Sequence, residues 1–141
     1  MYYVNREQIG VRLEAMPDIA QALNTLADSW QGSLIEGMAQ ERALHLAIEI
    51  ITDVGSYLID GFIMRDASSY EDIIEITGEE GVFPNELKQT FIELVQLRKP
   101  LVQDYFTWQR AELYPQIREL SEQLLLFKAS VEQYIERELN F

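Results

Sequence analysis

The sequence predicts an all-α fold, an up-and-down bundle of four to five helices. Three observations carry that prediction. Apolar residues return at steps of three and four along most of the 141-residue chain, the spacing that gathers them on one helical face. Asn5, Ser33 and Ser69 each stand where a side-chain oxygen can cap a helix start. No repeat, low-complexity stretch or interdomain linker breaks the pattern, so residues 1–141 read as one helical domain.

The first helix starts after Asn5, with Ile9, Leu13, Met16, Ala20, Leu23 and Leu26 as its stripe. Pro17 falls inside it and is expected to kink or split it. Ser33 and Glu36 form a capping box, and a long second helix is expected from there to about Met64. Ala43, Ala47, Ile51, Val54, Leu58 and Phe62 make one of its apolar rows. It is apolar on more than one side, as in a central helix or one shared between subunits. Ser69 caps a short third helix, Tyr70 to Thr77, that Gly78 stops. Glu79 to Pro84 reads as a turn. A fourth helix carries Leu87, Phe91, Leu94 and Val95 until Pro100 disturbs it. The last helix is expected from about Gln109 to Glu138, with Pro115 in its opening turns. Its stripe, Leu113, Ile117, Leu120, Leu124, Phe127, Val131 and Tyr134, is the most regular in the chain.

Composition removes whole classes of function. With no cysteine and one histidine, His45, thiol catalysis, zinc-thiolate sites and histidine-cluster metal centres are excluded. Neither a metal nor a cofactor is expected. The net charge of −13 argues against non-specific binding to nucleic acid or to anionic membranes, so RNA is expected to bind weakly if at all. The most hydrophobic stretch, Ala43 to Met64, is interrupted by Glu49, Asp53 and Asp60 and cannot span lipid. Met1 to Glu7 lacks the apolar run of a secretory signal, which predicts a cytoplasmic location.

Three features could carry chemistry. Glu41, His45, Glu49, Asp53 and Ser56 form a polar stripe on the second helix, either a solvated face or a set of ligands. Asp53 in particular could hold a basic residue across the bundle. Gly61 to Asp66 is a mixed basic, acidic and aromatic corner. The third feature is Leu97-Arg98-Lys99-Pro100-Leu101-Val102-Gln103-Asp104-Tyr105. Arg98 follows Leu94 by four residues, so it extends a core-facing stripe and must be paired or face a cleft. Arg98-Lys99 is also the only adjacent basic pair in the chain.

At this third feature the sequence resembles the HEPN superfamily, and within it the HepT-like toxins of prokaryotic toxin-antitoxin pairs, especially their YutE-like branch. Their usual text is Arg-Asn-x-Leu-Val-His-Asp-Tyr, matched here by Arg98, Leu101, Val102, Asp104 and Tyr105. Glu41 to Glu49 resembles the family's second helix, and Ser69-Tyr70 the turn before its third. The resemblance implies a HEPN-like bundle, a homodimer, a nucleotidyltransferase antitoxin and a metal-independent ribonuclease site. It also implies that the motif tyrosine, Tyr105, can accept AMP. Lys99 and Gln103 depart from the pattern, and Gln103 stands where the catalytic histidine would be. An amide cannot titrate, whereas 2′-hydroxyl attack needs a group that moves a proton near neutral pH.

The expected function is therefore a catalytically degenerate HepT-like protein acting through dimerisation and partner binding. The alternative is a weak or atypical ribonuclease. The motif positions are Arg98, Gln103 and Tyr105, with Lys99, Asp104 and Asp53 as binding residues. His45 is not expected to replace the lost histidine, because it lies on another helix and, as the resemblance implies, its matching position in the family is not catalytic.

Overall fold

The computed structural model describes residues 1–140. Five α-helices make the fold: α1 (Arg6–Ser29), α2 (Leu34–Gly61), α3 (Tyr70–Glu79), α4 (Lys88–Gln96) and α5 (Ile117–Leu139). There is no strand among the described residues. Helix α1 packs on α2 and α5, α2 on α3, and α3 on α4. Apolar rows of all five helices meet in one continuous core, including Met16, Leu44, Leu58, Phe91 and Phe127, and Ile59 of α2 forms a second small buried cluster with Ile73 and Ile76 of α3. Among the described residues no helix is long and apolar enough to cross a membrane.

Helix starts follow their capping residues. Asn5 accepts a hydrogen bond from the Gln8 amide, Ser33 and Glu36 close a reciprocal capping box, and Ser69 accepts from the Asp72 amide. Pro17 does not split α1, which runs unbroken through it. Pro17 sits on the exposed face, while Leu13, Met16 and Ala20 are buried on the other. Burial of three such side chains outweighs one missing backbone bond.

Helix ends depart from expectation where the backbone turns left-handed. Helix α2 stops at Gly61 rather than Met64, because Ile63 takes φ 54° and the Met64 amide bonds back to the Ile59 carbonyl. That is the Schellman closure, made here without the usual glycine and so under local strain. Helix α5 starts at Ile117, not Gln109. Pro115 restricts Tyr114 to extended backbone, and Gln116 takes φ 63°, so the predicted first two turns become a non-helical segment.

Three aromatic rings lock the lower half. Phe83, from the turn after α3, packs at 5.4 Å from Phe91 of α4 and 6.2 Å from Phe127 of α5. Phe91 and Phe127 meet edge-on at 5.6 Å. Arg65 clamps the α2–α3 corner with a two-pronged pair to Asp72, each bond 2.9 Å. The Arg65 hydrogen bonds, with help from Ser68, hold the Asp72 carboxyl far below the usual carboxylate range.

A carboxyl depressed by folding contributes stability that is complete above the unfolded-state value and is lost as pH falls through the folded one. The Asp72 carboxyl carbon should therefore still report an ionised group at about pH 3, where ordinary carboxyls are mostly protonated. In Arg65→Met its NMR titration should return towards the ordinary range. A midpoint near the ordinary value in the unsubstituted protein would show that the clamp is not formed.

Candidate functional site

The polar stripe of α2 is where the bundle collects its charges. Each carboxylate of the stripe meets an arginine from a different segment. Asp53 takes Arg12 of α1, Nε to Oδ2 at 3.0 Å. Glu49 takes Arg98 from beyond α4, Nε to Oε1 at 3.1 Å. Glu41 takes Arg110 from the segment before α5, with Nε 2.6 Å from Oε1 but off the hydrogen-bond direction. Ser56, the last polar position of the stripe, is exposed.

Local backbone explains how these arginines reach α2. Pro100 has no amide to offer, and the chain beyond Arg98 widens into a π turn over Lys99–Gln103, closed by the Asp104 amide on the Lys99 carbonyl at 3.0 Å. Leu101 of that turn is buried, which seats it on the core. The segment carrying Arg110 is held by Gln40, wholly buried on α2. Its amide donates to the Glu112 carbonyl at 3.0 Å and its oxygen accepts from the Tyr114 amide at 2.7 Å. Gly37 lets this segment close in, since a Cβ there would collide with the Arg110 carbonyl.

Arg98 is held on two sides. Its Nε donates to Glu49, and its guanidinium lies 4.3 Å above the Tyr70 ring at the start of α3. Its two Nη groups have no hydrogen-bond partner among the described residues. The side chain is 24% exposed, enough for an anion to reach it.

His45 shares the same carboxylate oxygen. Its Nε2 lies 3.4 Å from Glu49 Oε1, and its Nδ1 lies 3.3 Å from Arg42 Nη1. A guanidinium can only donate, so Nδ1 is the acceptor nitrogen and the ring proton sits on Nε2, facing Glu49. One carboxylate oxygen thus stands between His45 and Arg98, although the two lie on separate segments. Beside it lies a shallow hollow of about 190 Å³ lined by Met38, Glu41, Arg42, His45 and Leu101.

The remaining motif positions lie outside this cluster of contacts. Lys99 and Gln103 are exposed. Asp104 is half-buried, and its carbonyl accepts from the Thr107 hydroxyl at 2.8 Å. Tyr105 is 57% exposed and stacks edge-on against Phe106 at 5.7 Å. The Gly61 to Asp66 corner is tied up by the Arg65 clamp and lends nothing to the site.

Chemically, the cluster offers a half-buried cation with free donors, an imidazole, and a carboxylate that holds the cation and lies within ion-pair distance of the ring. Among the described residues no three acidic or imidazole side chains converge as they would around a metal ion. Sequence reasoning missed Glu49 as the shared acceptor and Tyr70 as the stacking ring. The four-residue step from His45 to Glu49 was visible, but its meeting with Arg98, 49 residues further on, was not.

Comparison with known proteins gives a consistent result. The family model described as "Ribonuclease HepT-like" matches residues 12–131. The chain is 37% identical over 139 residues to "Putative RNase YutE" of Bacillus subtilis (strain 168), covering 99% of this chain and 95% of that protein. A solved structure of YutE from Bacillus subtilis, described as a cytosolic protein of unknown function, superposes with a TM-score of 0.86 at 36% identity. That match covers all of this chain and 97% of the other.

Proposed function

Since the chain belongs to the ribonuclease HepT-like family, we propose that it is a metal-independent ribonuclease of atypical centre, with Arg98 as its phosphate-holding cation. One observation carries this reading: Arg98 is fixed by its Nε edge and its face, which leaves the Nη pair free to bind a phosphodiester. Such a fork, immobile before substrate arrives, stabilises the charge that gathers on phosphorus during 2′-hydroxyl attack. The bond formed is 2′-oxygen to phosphorus and the bond broken is phosphorus to 5′-oxygen, leaving a 2′,3′-cyclic phosphate and a 5′-hydroxyl. Arg98 and Arg110 are paired with Glu49 and Glu41, while Arg42 makes no ion pair among the described residues, which leaves one positive charge over at this place on a protein of net −13.

A second reading is favoured by Gln103, exposed at the position of the motif histidine: a catalytically degenerate protein that works by binding. RNA cleavage in the presence of a chelator separates the two. The first reading expects cleavage by the unsubstituted protein, reduced about a hundredfold or more in Arg98→Ala. Cleavage that appears only in Gln103→His would contradict it and leave the degenerate reading standing.

Both readings include a cytoplasmic homodimer. Leu34, Ile35 and Met38 at the start of α2 are 64%, 77% and 50% exposed, and Phe106 is 72% exposed. A second copy is the natural cover for this apolar surface. Met38 borders the hollow beside His45, so that interface would run along the site. The exposed Tyr105 hydroxyl, without a hydrogen-bond partner among the described residues, would accept AMP from a nucleotidyltransferase antitoxin. Native mass spectrometry reads both claims. The expected species has twice the 16.4 kDa protomer mass. With such a nucleotidyltransferase, ATP and magnesium, it should gain about 329 Da per AMP, a gain lost in Tyr105→Phe. A 16.4 kDa species, or a gain that persists in Tyr105→Phe, contradicts the respective claim.

A further inference from the structure

We infer that His45, held by Glu49 on α2, is the group that takes the 2′-hydroxyl proton in this protein, in place of the motif histidine replaced by Gln103. The inference rests on the ribonuclease reading above and adds to it the missing proton carrier.

His45 is the chain's single imidazole, and it is not buried in the core, its side chain being 28% exposed. Its Nε2 lies 3.4 Å from Glu49 Oε1, an ion-pair distance off the hydrogen-bond direction, and the same oxygen accepts from the Arg98 Nε–H at 3.1 Å. The phosphate-holding cation and the imidazole are thus two arms of one carboxylate. Orientation by a carboxylate on one ring nitrogen leaves the other nitrogen as the base. That other nitrogen, Nδ1, faces Arg42 at 3.3 Å. Arg42 is itself exposed and lines the hollow with His45. An incoming phosphate draws Arg42 off the ring, and Nδ1 is then free to accept a proton. The atoms balance without another reactant. Nδ1 takes the proton of the 2′-hydroxyl as the 2′-oxygen bonds phosphorus, and the departing 5′-oxygen takes a proton from water. The imidazolium then returns its proton to solvent.

No other group in the neighbourhood fits the task. Glu41 is bound to Arg110, Glu49 accepts from Arg98, and Gln103 is an amide on the exposed side of the π turn. The charged and titratable groups around the ring are Glu41, Arg42 and Glu49 of α2, Arg98 beyond α4, Arg110 before α5, and Tyr70 of α3 across Arg98.

The test measures cleavage of a single-stranded RNA by the full chain, in chelator, across pH. The variants are His45→Ala and His45→Gln, with Arg98→Ala as reference and circular dichroism to confirm folding. Either His45 variant should lose about a hundred- to ten-thousandfold in kcat/KM, the usual contribution of general acid-base help. Each should also lose the acid limb that an imidazole base imposes on the pH profile. Added imidazole should restore part of the activity to His45→Ala but not to Arg98→Ala, which a purely structural role would not produce. Full activity in a folded His45 variant, with Arg98→Ala inactive, overturns the inference and leaves the ribonuclease reading intact. No cleavage by the unsubstituted protein overturns both. A loss without imidazole rescue and with an unchanged pH profile assigns His45 to packing and overturns the inference alone.

Discussion

Charge on the central helix is the constraint around which this protein is arranged. Helix α2 buries residues on most of its circumference, from Ala43 to Ile59, yet carries Glu41, Glu49 and Asp53 along one line. Carboxylates packed between helices must find cations. They find them in Arg110, Arg98 and Arg12, which come from three separate parts of the chain. The pairs are partly exposed, so each adds at most about 1 kcal/mol to stability. Their effect lies in placement: each fixes where a neighbouring segment can sit on α2.

Irregular backbone at two points serves the same end. The π turn at Pro100 follows directly on Arg98 and seats Leu101 in the core. The extended stretch before α5 is bonded through the buried Gln40 side chain and clears Gly37 closely enough to exclude a Cβ. A regular helix from Gln109 onward would have no free amide at Tyr114 for Gln40 to hold. The candidate site thus lies where regular structure is interrupted on either side of a regular helix.

The fold was legible because it follows from local patterns. Asn5, Ser33 and Ser69 announce three helix starts, and the apolar steps name nearly every buried residue of α1, α4 and α5, though only one row of the many buried on α2. What escaped were events that local patterns do not encode. Pro17 is tolerated because of packing on the opposite face, Ile63 enters the left-handed region with no glycine to announce it, and Gln116 does the same before α5. The site was half legible. Arg98 was found because a charge on a core-facing stripe demands a partner, but the partner's identity depends on tertiary contact. His45 was set aside for lying on another helix and because its matching position in the resembled family is not catalytic, while the Arg98–Glu49 contact that brings it near Arg98 is tertiary and shown by no local pattern.

The central claim is that one carboxylate, Glu49, holds a cation and an imidazole in a common arrangement. Side-chain nitrogen NMR of Arg98 and His45, compared between the unsubstituted protein and Glu49→Ala, tests this most directly. The account predicts a resolved, slowly exchanging Arg98 Nε–H and a His45 ring protonated at Nε2, with both signals displaced together when the carboxylate is removed. If either signal stays in place in Glu49→Ala, the two side chains are not held by a shared group, and the account is contradicted.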